Sequence, residues 1–208
     1  MSAVHKTPTL YIEGPAFWAP NLPGWELAAA VFRGEAAGFA LVERMQAGDT
    51  ATPLLLGYGE ASDAHHMSTP HPEGLGAERA LDEALARAGL APEAIDYINM
   101  HGTASQKNDE VEGALVARRF PARTHASSTK GFTGHTLGAA GIVEAVISLL
   151  ALETGWMPGT INSSTLDADC GPQIRLQGAR AQARRALSNS FGFGGNNCAL
   201  VFGKGAAQ

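Results

Sequence analysis

The sequence predicts an α/β layered domain with a mixed sheet. Two patterns carry that reading. Short apolar runs alternate with helical periodicities along the chain, and glycine or proline punctuates the junctions between them. Thr9–Glu13 reads as a strand and Pro15–Trp25 as a loop, because three prolines and two tryptophans crowd it. Trp25–Phe32 has the spacing of a short amphipathic helix. Gly38–Glu43 and Pro53–Tyr58 read as further strands. Ser62–Gly76 is polar loop. Gly76–Gly89 is a helix, with Leu81, Ala84, Leu85 and Ala88 on one face and Gly89 as C-cap. Ile95–Met100 is a strand that delivers His101 at its C-terminal end. Asp109–Phe120 is a helix and His125–Ser127 a strand. Leu137–Thr154 is a helix apolar almost all round, hence a buried one. Ala186–Ser190 and Cys198–Phe202 form a hairpin around a glycine turn.

Composition narrows the classes of function. The chain has 208 residues, 45% of them hydrophobic, and a net charge of −5. That suffices for one substantial core. There is no basic run or stripe to suit nucleic acid. Cys170 and Cys198 form no C-x-x-C pair, so neither a disulfide framework nor a zinc site is expected, and a reducing cytoplasm fits. Met1–Pro8 lacks the apolar stretch of a signal peptide. The apolar run Ile142–Leu152 is broken by Glu144 and Ser148 and is too short to span a bilayer.

Three glycine-bounded segments concentrate the chemistry: Met100-His-Gly-Thr103, Ser128 to Gly141, and Phe191-Gly-Phe-Gly-Gly-Asn-Asn197. Taken alone, His101 suits a hydrogen-bonded turn, His135 a helix flank and Lys130 a solvated surface. Together they suggest an acyl-transfer site. Two neutral imidazoles can each donate an Nε2–H bond to one carbonyl oxygen and stabilise an enolate, and a lysine nearby favours the same anion. Glu144 lies inside the apolar helix, where a carboxylate is costly unless paired, and Lys130 is its natural partner. Backbone N–H groups of the turn Gly192, Phe193, Gly194, Gly195 could line an oxyanion hole, with Phe193 as a gate.

These segments, with Gly34-Glu-Ala-Ala-Gly38, Asp63-Ala-His-His-Met-Ser-Thr-Pro70, Asn108-Asp109 and Glu112, resemble the C-terminal half of a β-ketoacyl-acyl-carrier-protein synthase. That is the condensing enzyme of fatty-acid and polyketide synthesis, with the thiolase-like fold. Order and spacing agree over residues 34–203. The resemblance implies residues 1–33 as an opening strand and loop, and residues 34–208 as a ketosynthase C-terminal domain. It implies that His101 and His135 bind the malonyl thioester and stabilise the carbanion, and that Lys130 supports them with Glu144 buried beside it. Phe193 resembles the gating phenylalanine. His66 and Ser68 resemble groups near the pantetheine entrance, and Thr103 lies near the thioester.

The departure is that the family's nucleophilic cysteine, in the N-terminal half, has no counterpart here. Neither Cys170 nor Cys198 suits that role. The resemblance therefore implies an acyltransferase acting on malonyl-carrier protein with a protein partner that supplies the cysteine. The alternatives are a non-catalytic subunit like a chain-length factor, or an inert truncated synthase. No metal or redox cofactor is implied, since phosphopantetheine arrives on the acyl carrier protein.

Overall fold

A computed structural model of the protein describes residues 10–18, 37–44 and 53–204. The expected helix Trp25–Phe32 and most of residues 1–33 lie outside these. Among the described residues the chain forms a seven-stranded sheet in the order β2-β1-β3-β9-β8-β4-β5. The strands are β1 (Leu10–Trp18), β2 (Ala37–Arg44), β3 (Leu54–Ser62), β4 (Tyr97–Asn99), β5 (His125–Ser127), β8 (Arg185–Gly192) and β9 (Asn196–Gly203). A separate two-stranded ribbon pairs β6 (Trp156–Met157) with β7 (Ala179–Arg180). The helices are α1 (Leu75–Ala88), α2 (Gln106–Arg119), the four-residue α3 (Lys130–Thr133) and α4 (Ala140–Thr154).

The loop expected over Pro15–Trp25 is corrected at its start, since β1 continues to Trp18. Its ladder with β2 slips between Glu13 and Ala16, so Gly14 and Pro15 occupy a bulge. A proline, which has no N–H to donate, is tolerated there. The helix expected over Leu137–Thr154 opens with a 3₁₀ turn, Leu137–Ala139, before α4 proper.

Period-two alternation sends neighbouring side chains to opposite faces of the sheet. Ile98, Leu187 and Val201 join one buried cluster with Leu81 and Leu85 of α1 and Val116 of α2. Tyr97, Ala186 and Phe202 join a second cluster with Leu149 and Leu152 of α4. Thus α1 and α2 cover one face and α4 the other. The segment Leu137–Thr154 has a mean hydropathy of 1.7, enough by length and composition for a membrane span, but half of it is buried within the protein. Val143, Val146 and Leu149 face inward, while Leu150 is 42% exposed.

Helix α1 lies unusually close to β3. A Cβ on Gly59 would stand 1.9 Å from the Ala80 carbonyl oxygen, and one on Gly57 would stand 2.2 Å from that of Ala84. Glycines on the strand facing alanines on the helix bring the two backbones into contact.

The sheet is mixed in a way that places the site. β4 runs parallel to both β5 and β8, whereas β8 and β9 form an antiparallel hairpin. Three neighbouring strands therefore end on the same side, where ligands of open α/β sheets sit. Beyond those ends lie His101, Lys130 and the turn that carries Phe193.

Gly59→Ala should lower stability by about 1–3 kcal/mol, the usual cost of overpacking a closed contact. Gly89→Ala meets no neighbour within 4 Å but holds a φ of +65°, so it should cost about 1–2 kcal/mol through the left-handed backbone alone. Urea denaturation of both variants checks the two mechanisms separately.

Candidate active site

His101 lies two residues past the end of β4 and is buried, at 5% exposure. Its loop is held by Glu112 of α2. One carboxylate oxygen accepts the His101 N–H and the other the Gly102 N–H, each at 2.8 Å. Asn189 and Asn108 donate a further bond to each oxygen at 3.3 Å. Burial pushes the Glu112 carboxyl up, and the Gly102 and His101 amides hold it down. The family resemblance includes this residue without assigning it a role. Its signal beyond that is a glutamate four residues after Asn108 on a helix whose buried face is partly polar.

Ser128 locks the other side of the loop. Its hydroxyl donates to the Gly102 carbonyl at 2.7 Å. A Cβ on Gly102 would stand 2.4 Å from that of Ser128.

Lys130 begins α3, immediately after the β5 turn. Its ammonium has three protons and meets three acceptors: Oε1 of Glu144, the His101 carbonyl, and His101 Nδ1 at 3.2 Å. The ammonium is thus saturated, and it reaches the cleft through His101. Both side chains of the Lys130–Glu144 pair are buried, at 7% and 3% exposure. Burial pushes the Glu144 carboxyl above its ordinary range, while Lys130 and the Ser190 hydroxyl, donating at 2.9 Å, pull it down.

These bonds assign the histidine tautomers. A lysine can only donate, so His101 Nδ1 is an acceptor and the ring proton sits on Nε2. The Leu137 N–H donates to His135 Nδ1 at 3.3 Å, which fixes the same tautomer there. The two rings stand edge to face with centroids 5.4 Å apart, and Phe191 packs on His101 at 5.5 Å. Burial, the Lys130 charge and His135 hold the His101 pKa down to about 3. Burial and Lys130 lower that of His135 as well. At neutral pH both imidazoles are therefore uncharged Nε2–H donors.

The two histidines open onto a cleft of about 1140 Å³, which Thr103, Ser68, Ser190 and Phe193 also line. Thr103 shares a hydrogen bond with Ser105 at 2.9 Å. His66 lies on the exposed loop beside the cleft, its Nδ1 accepting the Ser68 N–H at 3.2 Å. Phe193 is 75% exposed at the tip of the β8–β9 turn.

Of the turn's backbone donors, one is already engaged. The Gly194 N–H is no oxyanion donor, because it is given to the Met67 carbonyl at 2.7 Å. The Gly195 carbonyl in turn accepts the Asp63 N–H at 2.8 Å and the Asn197 side chain at 2.9 Å. These bonds tie the turn to the 62–71 loop. Among the described residues, no group of three or more His, Cys, Asp or Glu side chains is placed to hold a metal.

Neither cysteine is an activated thiol. Cys198 lines the cleft, but burial and Glu60 push its pKa up. Burial and then Asp167, Asp109 and Asp169 do the same for Cys170. A nucleophilic thiol needs the opposite, a depressed pKa.

His101 gives a definite pH dependence. Its folded pKa of about 3 lies below the usual value of 6.5, so below pH 6.5 the unfolded chain binds the extra proton. Stability should fall from pH 6.5 toward 3 with a His101 component of up to about 1.4 kcal/mol per pH unit. In His101→Gln, denaturation across this range should show a shallower slope than the parent. Glu112→Gln would turn an amide NH₂ toward a backbone N–H and should cost about 1–3 kcal/mol, with faster amide exchange at Gly102.

The sequence matches the β-ketoacyl synthase C-terminal domain family over residues 53–164. It is 37% identical over 193 residues to a chloroplastic 3-oxoacyl-[acyl-carrier-protein] synthase II of Arabidopsis thaliana, covering 89% of this chain and 35% of the relative. It is 38% identical over 179 residues to 3-oxoacyl-[acyl-carrier-protein] synthase 2 of Coxiella burnetii, covering 82% and 43%. Among solved structures it is similar to the complex of a ketosynthase with its chain length factor from Xenorhabdus doucetiae. There the TM-score is 0.75 and the identity 41%, over 81% of this chain and 42% of that one. The chain spans less than half the length of these relatives.

Proposed function

The chain belongs to the β-ketoacyl synthase family, and from that premise we propose that it supplies the anion-stabilising half of a decarboxylative Claisen condensation. The observation that carries this reading is the pairing of His101 with His135 as neutral Nε2–H donors on one cleft. A malonyl thioester placed there presents its carbonyl oxygen to both N–H groups. Cleavage of the bond to the free carboxylate releases CO₂ and leaves the electron pair on the thioester as an enolate. The two N–H bonds strengthen as that charge develops. The enolate carbon then attacks an acyl thioester, forming the new C–C bond and expelling a thiolate.

That acyl thioester belongs on a cysteine of a partner chain, since Cys170 and Cys198 both have raised pKa values. The partner would supply the ketosynthase half that the relatives' greater length implies. Malonyl units would arrive on the phosphopantetheine arm of an acyl carrier protein, so no cofactor of the chain's own is needed. His66, Ser68 and Phe193 would meet that arm at the rim of the cleft. A reducing cytoplasm would keep the thiols free. The lack of an activated thiol favours two other readings, a non-catalytic subunit comparable to a chain length factor and an inert truncated synthase. The intact histidine pair with its buried lysine argues for the condensing role.

The test is to mix the chain with candidate ketosynthase partners, malonyl-carrier protein and acyl-carrier protein, and to follow CO₂ release and β-ketoacyl product. His135→Ala should lower CO₂ release by about 10²–10³-fold, the cost of removing one preorganised donor. No complex and no product with any partner would sink the condensing role and leave the inert reading.

A further inference from the structure

We propose that Asn162 is a positioning residue for the site, fixing through the Gly131 carbonyl the turn from which Lys130 reaches His101. For its chemistry this role rests on the reading above; the geometry stands by itself. The segment from Pro158 to Asn162 runs beside residues 125–131, and every second residue makes a bond. The Pro158 carbonyl accepts from the Ser127 hydroxyl at 2.7 Å and from His125 Nε2 at 2.8 Å. The Thr160 hydroxyl accepts the Ser128 N–H at 3.3 Å. Asn162 Nδ2 donates to the Gly131 carbonyl at 2.6 Å.

The clasp is tight at its far end. A Cβ on Gly131 would stand 2.2 Å from the Ile161 carbonyl oxygen, so the two backbones touch. Asn162 itself holds a φ of +65°, a left-handed conformation that asparagine tolerates better than most side chains. That conformation turns its amide onto α3. In a four-residue helix such as α3 the carbonyls near the end lack intrahelical partners, and Asn162 supplies one for Gly131. The segment is backed from behind as well. A Cβ on Gly159 would stand 2.4 Å from the Leu176 carbonyl oxygen, and the Thr160 N–H donates to the Arg175 carbonyl at 2.8 Å.

Gly131 is the residue next to Lys130, so the clasp sets the direction in which the lysine leaves the backbone. The ammonium serves three acceptors at once, which leaves little freedom for the turn to rotate. If the turn loosens, the bond to His101 Nδ1 lengthens and the Nδ1–H tautomer becomes accessible. The Nε2–H that faces the cleft would then be lost from part of the population. The groups facing the His101 ring are Lys130, His135, Phe191 and, at 4.0 Å, Glu144. Asn162 bonds to the Gly131 carbonyl and to none of these four, so an effect of Asn162 on His101 would pass through the turn.

The experiment uses the whole chain, ¹⁵N-labelled at histidine, and reads the tautomers from long-range ¹H–¹⁵N spectra at pH 7.5. The parent should show His101 as the Nε2–H tautomer only. Asn162→Gly keeps the left-handed backbone accessible and removes only the amide. It should bring in the Nδ1–H tautomer at His101 and raise its titration midpoint, with His125 still bonded to Pro158. Thr160→Val, which removes the acceptor for Ser128, should shift His101 in the same direction by less, and it decides the matter if Asn162→Gly does not fold. A His101 spectrum unchanged in the folded variants would overturn the positioning role. Because the readout needs no partner and no turnover, a changed spectrum with no condensation in any mixture would retain this role while the proposed function fell.

Discussion

The buried pair of Lys130 and Glu144 is the constraint on which the site depends. Removing two charges from water costs several kcal/mol per ion, and the cost is offset only while the pair and its other hydrogen bonds stay in register. Each partner comes from a different element. Lys130 stands at the exit of β5, Glu144 in the first turns of α4, Ser190 near the end of β8, and the His101 carbonyl just past β4. Satisfying one ammonium and one carboxylate therefore fixes how three strand ends and a helix meet. Breaking such a pair by removing one partner leaves an uncompensated buried charge, at about 3–5 kcal/mol.

The same pair explains how a site with so many titratable groups stays electrically quiet. Lysine and glutamate cancel at close range, and both histidines are held neutral by burial and by the neighbouring ammonium. An imidazolium would be a stronger acid but would also bind the carboxylate of a malonyl group in its ground state. In the proposed condensation, neutral donors would give their larger gain to the enolate, where charge has moved onto the thioester oxygen. Glu112 adds a second carboxylate without disturbing this balance, because its acceptor sites are occupied by two backbone amides and two asparagine amides.

Much of this was legible in the sequence because strand periodicity and strand ends are local signals. The run Ile95–Met100 placed His101 beyond a strand, and a lone glutamate in an apolar helix called for the nearby lysine as its partner. Other features carried no local signal. Glu112 stood out only through the family resemblance and not through any local pattern, and the fold brings Asn189 across to meet it. The two-residue strands β6 and β7 are too short for a period to show. Pro15 read as a strand breaker, but among the described residues β1 pairs with β3 only at Leu10 and Tyr11, so the bulged proline interrupts the ladder with β2 alone. Asn162 lies 32 residues after Lys130 in a polar loop, and its contact with α3 depends on a left-handed backbone that the sequence does not announce.

The electrostatics also separate the two tasks that a condensing site must perform. Stabilising an enolate calls for neutral donors whose charges are already balanced. Activating a thiol calls for uncompensated positive potential, from an imidazolium, a lysine or a helix N-terminus. Here the buried Lys130 is fully used by Glu144 and His101, so it has no proton left to hold a thiolate. The thiol that lines the cleft, Cys198, pairs across the sheet with Glu60, whose charge works against ionisation. On the proposed reading the described part of the cleft therefore suits the carbanion and not the nucleophile, and the positive potential that a thiolate needs would come from a partner chain.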